Sequence, residues 1–328
     1  MWTKLELIYE LDSPLHIGYL PFTGSVVSPT RYYVPGKNLW GAVTRLATEY
    51  LFAEPTGEDY RRVGEEVKKH FRFSYFYILD GETIYYPCYS EEGLIYGNEE
   101  KITKAEFEYR FIGSRVSTAI DRELGSAKHE SLHEIEFINH KYMDKKGNIK
   151  NTKIIGAVWV NGSARLPLQD RNVEFKIKDD GVYVDHFNLL QELILGGEQN
   201  YGFGRVRLYC INKGKNMFPV EDNLNKDKII VTVKKGNPVL SHVKIINNYK
   251  NNKLIPFRGD IELLSGREYS NKEKERFKEA GKRIVPPEYY FSPGTVFLMD
   301  DQDDKDGEEF ILSWSGIMDR KVSENNSD

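Results

Sequence analysis

Residues 4–11 (Lys-Leu-Glu-Leu-Ile-Tyr-Glu-Leu) alternate polar and apolar side chains and run into Asp12-Ser13-Pro14, which predicts a strand ended by a turn. A loop rich in Gly, Ser, Thr and Pro occupies 18–36. Leu39, Val43, Leu46 and Ala47 then recur at i, i+4, i+7 and i+8, the stripe of a helix whose N-cap is Gly36 or Asn38. A charged stretch over 58–70 reads as a second helix, followed by an aromatic strand over 71–79. Residues 80–153 are less regular, with strand-like pieces between glycines and charge clusters, and 153–160 is a clear strand. Leu189, Leu190, Leu193 and Ile194 predict a short amphipathic helix over 187–195, leading into a glycine-rich loop and a strand over 205–211.

This order predicts an α+β fold. A ferredoxin-like (RRM-like) domain covers 1–212, with a long thumb-like insertion at about 80–153 and the glycine-rich loop near its end. Residues 213–227, polar with Gly, Asn and Pro, read as a linker. Residues 228–328 form a C-terminal β-rich domain, with a strand at 229–233, apolar segments at 254–264 and 289–299, and an acidic solvated loop at 300–309.

Composition narrows the function classes. The 328 residues are 40% hydrophobic and 29% charged, as in a soluble globular protein, and no apolar run approaches the ~20 residues of a membrane span. The N-terminus reads as a strand and not as a signal peptide, so a cytoplasmic protein with no membrane partner is expected. Cys88 and Cys210 stand far apart, outside any metal-type spacing, and read as free thiols. The net charge of −4 argues against indiscriminate coating of nucleic acid. RNA binding would need a local basic groove with acid elsewhere.

The candidate chemistry centres on Gly196-Gly197-Glu198-Gln199-Asn200-Tyr201-Gly202-Phe203-Gly204-Arg205-Val206-Arg207. Four glycines in nine positions permit positive φ and close approach, so phosphate can lie against main-chain N–H groups. Arg205 and Arg207 share one face of the departing strand and can pair phosphates. The segment lacks the Gly-Lys-Ser/Thr end of a P-loop, and the predicted helix-then-strand order is the reverse of a dinucleotide fingerprint. A helix C-cap followed by a tight turn is the equally simple structural alternative.

The segment resembles the C-terminal glycine-rich loop of the RAMP superfamily, the ferredoxin-fold subunits of CRISPR effector complexes and their processing nucleases. Tyr33-Val34-Pro35-Gly36-Lys37-Asn38-Leu39-Trp40-Gly41 resembles that family's Pro-Gly helix start, with Lys37 and Asn38 where Ser or Thr is usual. Arg115-Val116-Ser117-Thr118-Ala119-Ile120-Asp121-Arg122-Glu123-Leu124-Gly125-Ser126-Ala127-Lys128 is similar to the Arg-x-x-Thr-Ala-Ile-Asp-Arg stretch of type III backbone subunits, which belongs to an insertion reaching over RNA. The three stretches are in family order and cover about residues 4–210. The resemblance implies a type III effector-like subunit holding guide RNA for antiviral defence, with other effector subunits as partners, among them the large polymerase-domain subunit. It implies RNA contacts at Lys37, Asn38, Arg45, Arg115, Thr118, Ile120, Arg122, Lys128, Gly197, Tyr201, Gly202, Phe203, Gly204, Arg205 and Arg207, with no cofactor and no metal.

Two enzymatic alternatives remain open. Between Ile17 and Lys37 there is no Asp, Glu or His to cut RNA, but His16 could serve as general base of a metal-independent endoribonuclease. His129-Glu130-Ser131-Leu132-His133 fits the H-E-x-x-H pattern of zinc proteases, although Ile135-Glu136-Phe137 alternates as a strand where that signature needs a helix. The primary expectation is a non-catalytic RNA-binding subunit.

Overall fold

The first strand, β1 (Trp2–Leu11), is followed by two helices, α1 (Gly36–Leu51) and α2 (Gly57–His70), and by the strands β2 (Phe71–Phe73) and β3 (Tyr77–Asp80). A third helix, α3 (Lys104–Phe111), leads into the hairpin of β4 (Ile112–Ser117) and β5 (His133–Ile138). Next come β6 (Lys153–Asn161), β7 (Glu192–Ile194) and β8 (Arg205–Asn212). The computed structural model describes residues 1–18, 26–121, 123–127, 131–162, 165–167, 172–212, 217–224, 228–245, 249–250, 253–268, 283–298 and 307–321. Among these the fold is mixed α+β, with three α-helices and several sheets of mostly short strands.

The central sheet has the order β7-β8-β1-β6-β3, with the short strand Thr83–Ile84 at the edge beyond β3 and β2 also on β6, and its pairings are antiparallel. β6 explains why both faces are covered. Its sequence, Lys-Ile-Ile-Gly-Ala-Val-Trp-Val-Asn, is an unbroken apolar run, and every residue from Ile154 to Val160 is buried. Such a run marks a strand packed on two sides. Ile154, Val158 and Val160 join Leu5, Leu7 and Tyr9 of β1 against Leu39 and Val43 of α1 and Val63 and Val67 of α2. Ile155, Ala157 and Trp159 face the opposite way, into a second core shared with Phe218, Ile229, Val231, Phe291 and Phe310. Gly156 admits the Phe76 ring: a Cβ there would lie 2.4 Å from it.

The second core belongs to a C-terminal sheet. Its strands are Glu221–Leu224, β9 (Ile229–Val233), β10 (Val243–Lys244), β11 (Ile261–Glu268), β12 (Arg283–Phe291), β13 (Glu308–Leu312) and β14 (Met318–Arg320). They run in the order Glu221–Leu224, β9, β13, β14, β10, β12, β11, which leaves β11 at the edge. Within the stretch that reads as a linker, Phe218 and Val220 are buried in this core and Glu221–Leu224 pairs with β9. Residues 213–216 and 225–227 lie outside the described residues.

One expected element is different. Residues 187–195 are not a helix: Phe187–Asn188 and β7 are short strands joined by a turn. The apolar spacing at 189, 190, 193 and 194 imitates a helix, but Ile194 is exposed while Leu193 and Leu195 are buried, the period-two pattern of a strand. The glycine-rich loop is therefore the tip of a β-hairpin. At α1 the N-cap is Pro35, with no side-chain cap, in place of Gly36 or Asn38.

Candidate functional site

The glycine-rich loop is fastened to the chain just after β1. The Gly197 N–H donates to the His16 carbonyl at 2.9 Å, Gly204 N–H to Pro14 at 2.8 Å, and Asp12 N–H to the Arg205 carbonyl at 2.9 Å. Glycine is required at two of these points. Gly196 (φ +76°) would place a Cβ 2.1 Å from the His16 carbonyl oxygen, and Gly204 (φ +85°) would place one 2.0 Å from that of Leu195. Gly202 also has positive φ but faces open space. His16 is a buried strut here: its Nδ1 lies 2.6 Å from the Glu136 carbonyl oxygen and its ring packs against Gly197 and Gly18.

The same anchor holds the β4–β5 hairpin. Leu15 and Ile138 exchange backbone hydrogen bonds, and the ring of Phe203, buried inside the loop, meets Phe137 of β5 edge-on at 5.3 Å. β5 also pairs in parallel with Val27–Ser28. On the hairpin, Arg115 and Ile120 are exposed, and the Thr118 hydroxyl bonds that of Ser131 at 2.7 Å. Val116, Ile120, Leu124 and Leu132 are all large exposed apolar side chains in this region. Arg122, Lys128, His129 and Glu130 lie outside the described residues. His133 opens a strand, with Nδ1 facing the Ser131 carbonyl, and among the described residues no three His, Cys, Asp or Glu side chains converge as metal ligands.

Arg45 ties α1 to the glycine-rich loop, reaching Glu49 at 2.8 Å and the Gln199 amide oxygen at 3.0 Å. Tyr201 is exposed at the loop's tip. Arg205 projects into solvent, whereas Arg207 is engaged by Asp12 at 3.3 Å and Glu10 at 3.7 Å. The two arginines share a face but differ in how much charge they present.

Gly196, Gly197, Lys37 and Asn38 line one cleft of about 770 Å³, and its other wall comes from the C-terminal sheet. Gly36 allows this meeting, since a Cβ there would lie 2.6 Å from the Ser315 carbonyl oxygen and 2.7 Å from that of Phe73. The strand at the cleft's edge, β11, shifts register between Leu264 and Gly266. The Lys37 ammonium sits against that bulge, 2.6 Å from where a Gly266 Cβ would be. Arg115, Thr118 and Ile120 do not line this cleft.

Beneath the cleft, a buried polar network joins the two halves. Arg31 donates to Glu262 at 2.5 Å and to the Tyr33 hydroxyl at 2.7 Å. His242 Nε2 lies 3.1 Å from Glu262, and the Tyr75 hydroxyl meets His242 Nδ1 at 2.7 Å. A neutral His242 fits both contacts by donating from Nε2 and accepting at Nδ1. Burial pushes the His242 pKa down, keeping the ring neutral. For Glu262, burial opposes ionisation, but the His242 hydrogen bond and the Arg31 charge outweigh it and hold the pKa at about 2. Sequence reading found the glycine-rich loop and Lys37 but not Glu262, His242, Lys244, Gly266 or Glu288, which carry no local motif.

No family model and no curated protein matches the chain. Among solved structures, it is similar in fold to a chain of the type III-B Cmr-beta complex bound to cognate target RNA and AMPPnP, with TM-score 0.51 and 12% identity over 89% of this chain and 85% of that one. A chain of Cmr-beta bound to cognate target RNA gives TM-score 0.49 and 13% identity over 89% and 86%. The first likeness, which extends through both halves of the chain, agrees with the type III effector resemblance carried by the sequence.

Proposed function

We propose that this chain is an RNA-holding subunit of a type III CRISPR effector complex, acting in antiviral defence without cutting RNA itself. The observation that carries the proposal is the convergence of the glycine-rich loop and the Pro35-Gly36-Lys37 helix start on one cleft. That convergence stands on a scaffold with the fold of a Cmr-beta chain. Lys37 places a cation in the cleft of a protein whose net charge is −4, a local charge of the kind that selective binding of a polyanion needs, while Arg31 and Lys244 line the cleft already engaged by Glu262 and Asp319.

In this reading Lys37, Asn38, Arg45, Tyr201 and Arg205 contact the RNA backbone around the loop. The hairpin bearing Arg115, Thr118 and Ile120 reaches along it, with Ile120, 70% exposed, pressing on a base. Gly202 keeps the backbone open to the ligand, Gly197 and Gly204 let the loop close against the chain after β1, and Phe203 fastens loop to hairpin. The strand order β8-β1-β6-β3 supports a ferredoxin-like unit over 1–212 in which strands between β6 and β8 stand where a second helix would, with 228–328 as the C-terminal β-rich part. The buried, backbone-bonded His16 favours holding over cutting. Partners in this reading are guide RNA and the other effector subunits, including the large polymerase-domain subunit, in the cytoplasm.

Co-expression with effector subunits and a guide-encoding array, followed by purification through this chain and sequencing of bound RNA, tests the proposal. Recovery of guide RNA is expected, and its absence would overturn the assignment. Incubation with repeat or target RNA beside a His16→Ala control tests the catalytic side: cleavage lost in that variant would replace the non-cutting role with an endoribonuclease.

A further inference from the structure

We propose that the cleft between the glycine-rich loop and β11 seats one unstacked nucleotide of the bound RNA, with Glu288 selecting guanine and Lys37 holding the adjoining phosphate. The inference rests on the RNA-holding reading above and assigns the C-terminal half a part in it: base selection.

Size comes first. A cleft of about 770 Å³ is within the range that encloses a small organic ligand. It is closed by both halves of the chain, so the loop alone does not make it. The bulge at Leu264/Gly266 is the second observation. Bulges re-aim side chains and concentrate beside functional sites, and here the missing side chain at Gly266 is what accommodates the Lys37 ammonium. Lys37 therefore spans the cleft from the first turn of α1 to the edge strand and places a point charge inside it.

The third observation is a carboxylate across from that lysine. Leu264, at the bulge, pairs with Glu288 on β12. Glu288 is exposed to the cleft, and its Oε2 accepts the Tyr290 hydroxyl at 2.6 Å, which fixes the carboxylate's orientation. Among the described residues Oε1 has no hydrogen-bond partner. Trp314, half-buried and held edge-on to Trp40 at 4.8 Å, gives the cleft an aromatic wall for a base. An ionised carboxylate only accepts hydrogen bonds. Of the four bases, guanine alone presents two adjacent donors on its Watson–Crick edge, N1–H and the N2 amine. Adenine and cytosine set a ring acceptor beside their amine, and uracil flanks its one N–H with two carbonyls, so both arrangements bring lone pairs against the carboxylate. Single-stranded RNA is read on these edges.

The test uses the full chain and short single-stranded RNAs, identical except for one G, A, C or U in an otherwise cytosine-free, guanine-free sequence, with affinity read by fluorescence anisotropy. The native protein is expected to favour the G-containing RNA at least tenfold. Glu288→Gln, which exchanges one acceptor for a donor, should abolish that preference without lowering affinity for the other three. Lys37→Ala should weaken all four alike. Equal binding of the four RNAs by the native protein, or a G preference that survives Glu288→Gln, would overturn the inference and leave the RNA-holding role standing. RNA binding untouched by both substitutions would show that the cleft houses something else, such as a segment of a neighbouring subunit, and would also sink it. No binding of any RNA would remove both readings together.

Discussion

Two glycines of one loop, both at positive φ, separate backbone strain from close approach. Gly202 has φ +80° and nothing within 4 Å of where a Cβ would lie, so Gly202→Ala costs only the left-handed conformation, about 1–2 kcal/mol. Against this stands a gain of about 0.4–1 kcal/mol from the stiffer unfolded chain, for a net loss of about 1 kcal/mol. Gly204 has nearly the same φ, +85°, but its Cβ would lie 2.0 Å from the Leu195 carbonyl oxygen, and backbone cannot swing away as a side chain can. Relieving that overlap moves Gly204 off two hydrogen bonds, from Leu195 N–H to its carbonyl and from its own N–H to Pro14, both 2.8 Å. At about 1–2 kcal/mol each, their loss brings Gly204→Ala to about 3–5 kcal/mol. Urea denaturation of the two variants beside the native chain measures the difference. A gap of about 2 kcal/mol or more is expected, and equal costs would refute the claim that the loop is closed by backbone contact.

The remaining predictions concern the same region. Phe203→Ala removes the edge-on contact with Phe137 and should cost about 3 kcal/mol; hydrogen exchange should accelerate in both 196–204 and 133–138, and an effect confined to the loop would show that loop and hairpin are not joined through this ring. Arg205→Ala should lower the slope of log affinity for RNA against log salt by about one, whereas Arg207→Ala, already paired with Asp12 and Glu10, should change it less; the reverse order would contradict the charge assignment. Stability should fall with acid in two stages. His242, with its folded pKa below its unfolded value, loses stability as pH drops below about 6.5. Glu262, held at about 2, contributes stability present above about 4.5 and lost between there and about 2, at most about 3 kcal/mol. Melting temperatures across pH 2–8 check both stages, and a Glu262→Gln variant that keeps the lower stage unchanged would refute its assignment.

Legibility in the sequence followed the range of the interactions. β1, α1 and β6 were readable because alternation, a helical stripe or an unbroken apolar run reports burial directly, and α2 as a charged stretch. α3 was readable in principle: Thr103 and Glu106 form a capping box, with Thr103 accepting from the Glu106 N–H, but it lies inside the irregular stretch 80–153. The strand β7 was hidden because leucine and isoleucine at 189, 190, 193 and 194 have the spacing of a helix, and only the exposure of Ile194 between buried Leu193 and Leu195 reveals the strand. The loop glycines and Lys37 were legible as local chemistry. Glu262, His242 and Gly266 were not, because their meaning depends on residues about 170 to 230 positions away, such as Arg31, Tyr75 and Lys37.

That distance bears on how the cleft exists at all. β6 alternates its buried residues between two cores, one filled by α1 and α2 and the other by the C-terminal sheet. The first turn of α1 sits where the two layers meet, and only a residue without a side chain can occupy position 36 between the carbonyls of Phe73 and Ser315. The Arg31–Glu262–His242–Tyr75 network then locks the junction from below with a largely buried charge pair, in which loss of either partner leaves the other uncompensated. A glycine-rich loop on the isolated first half would still be a tight hairpin tip, but the Ile155, Ala157 and Trp159 face of the central sheet would be uncovered and the cleft would lack its second wall. The feature most visible in the sequence thus acquires a binding geometry only through the C-terminal sheet, whose sequence predicts strands but carries no local binding motif.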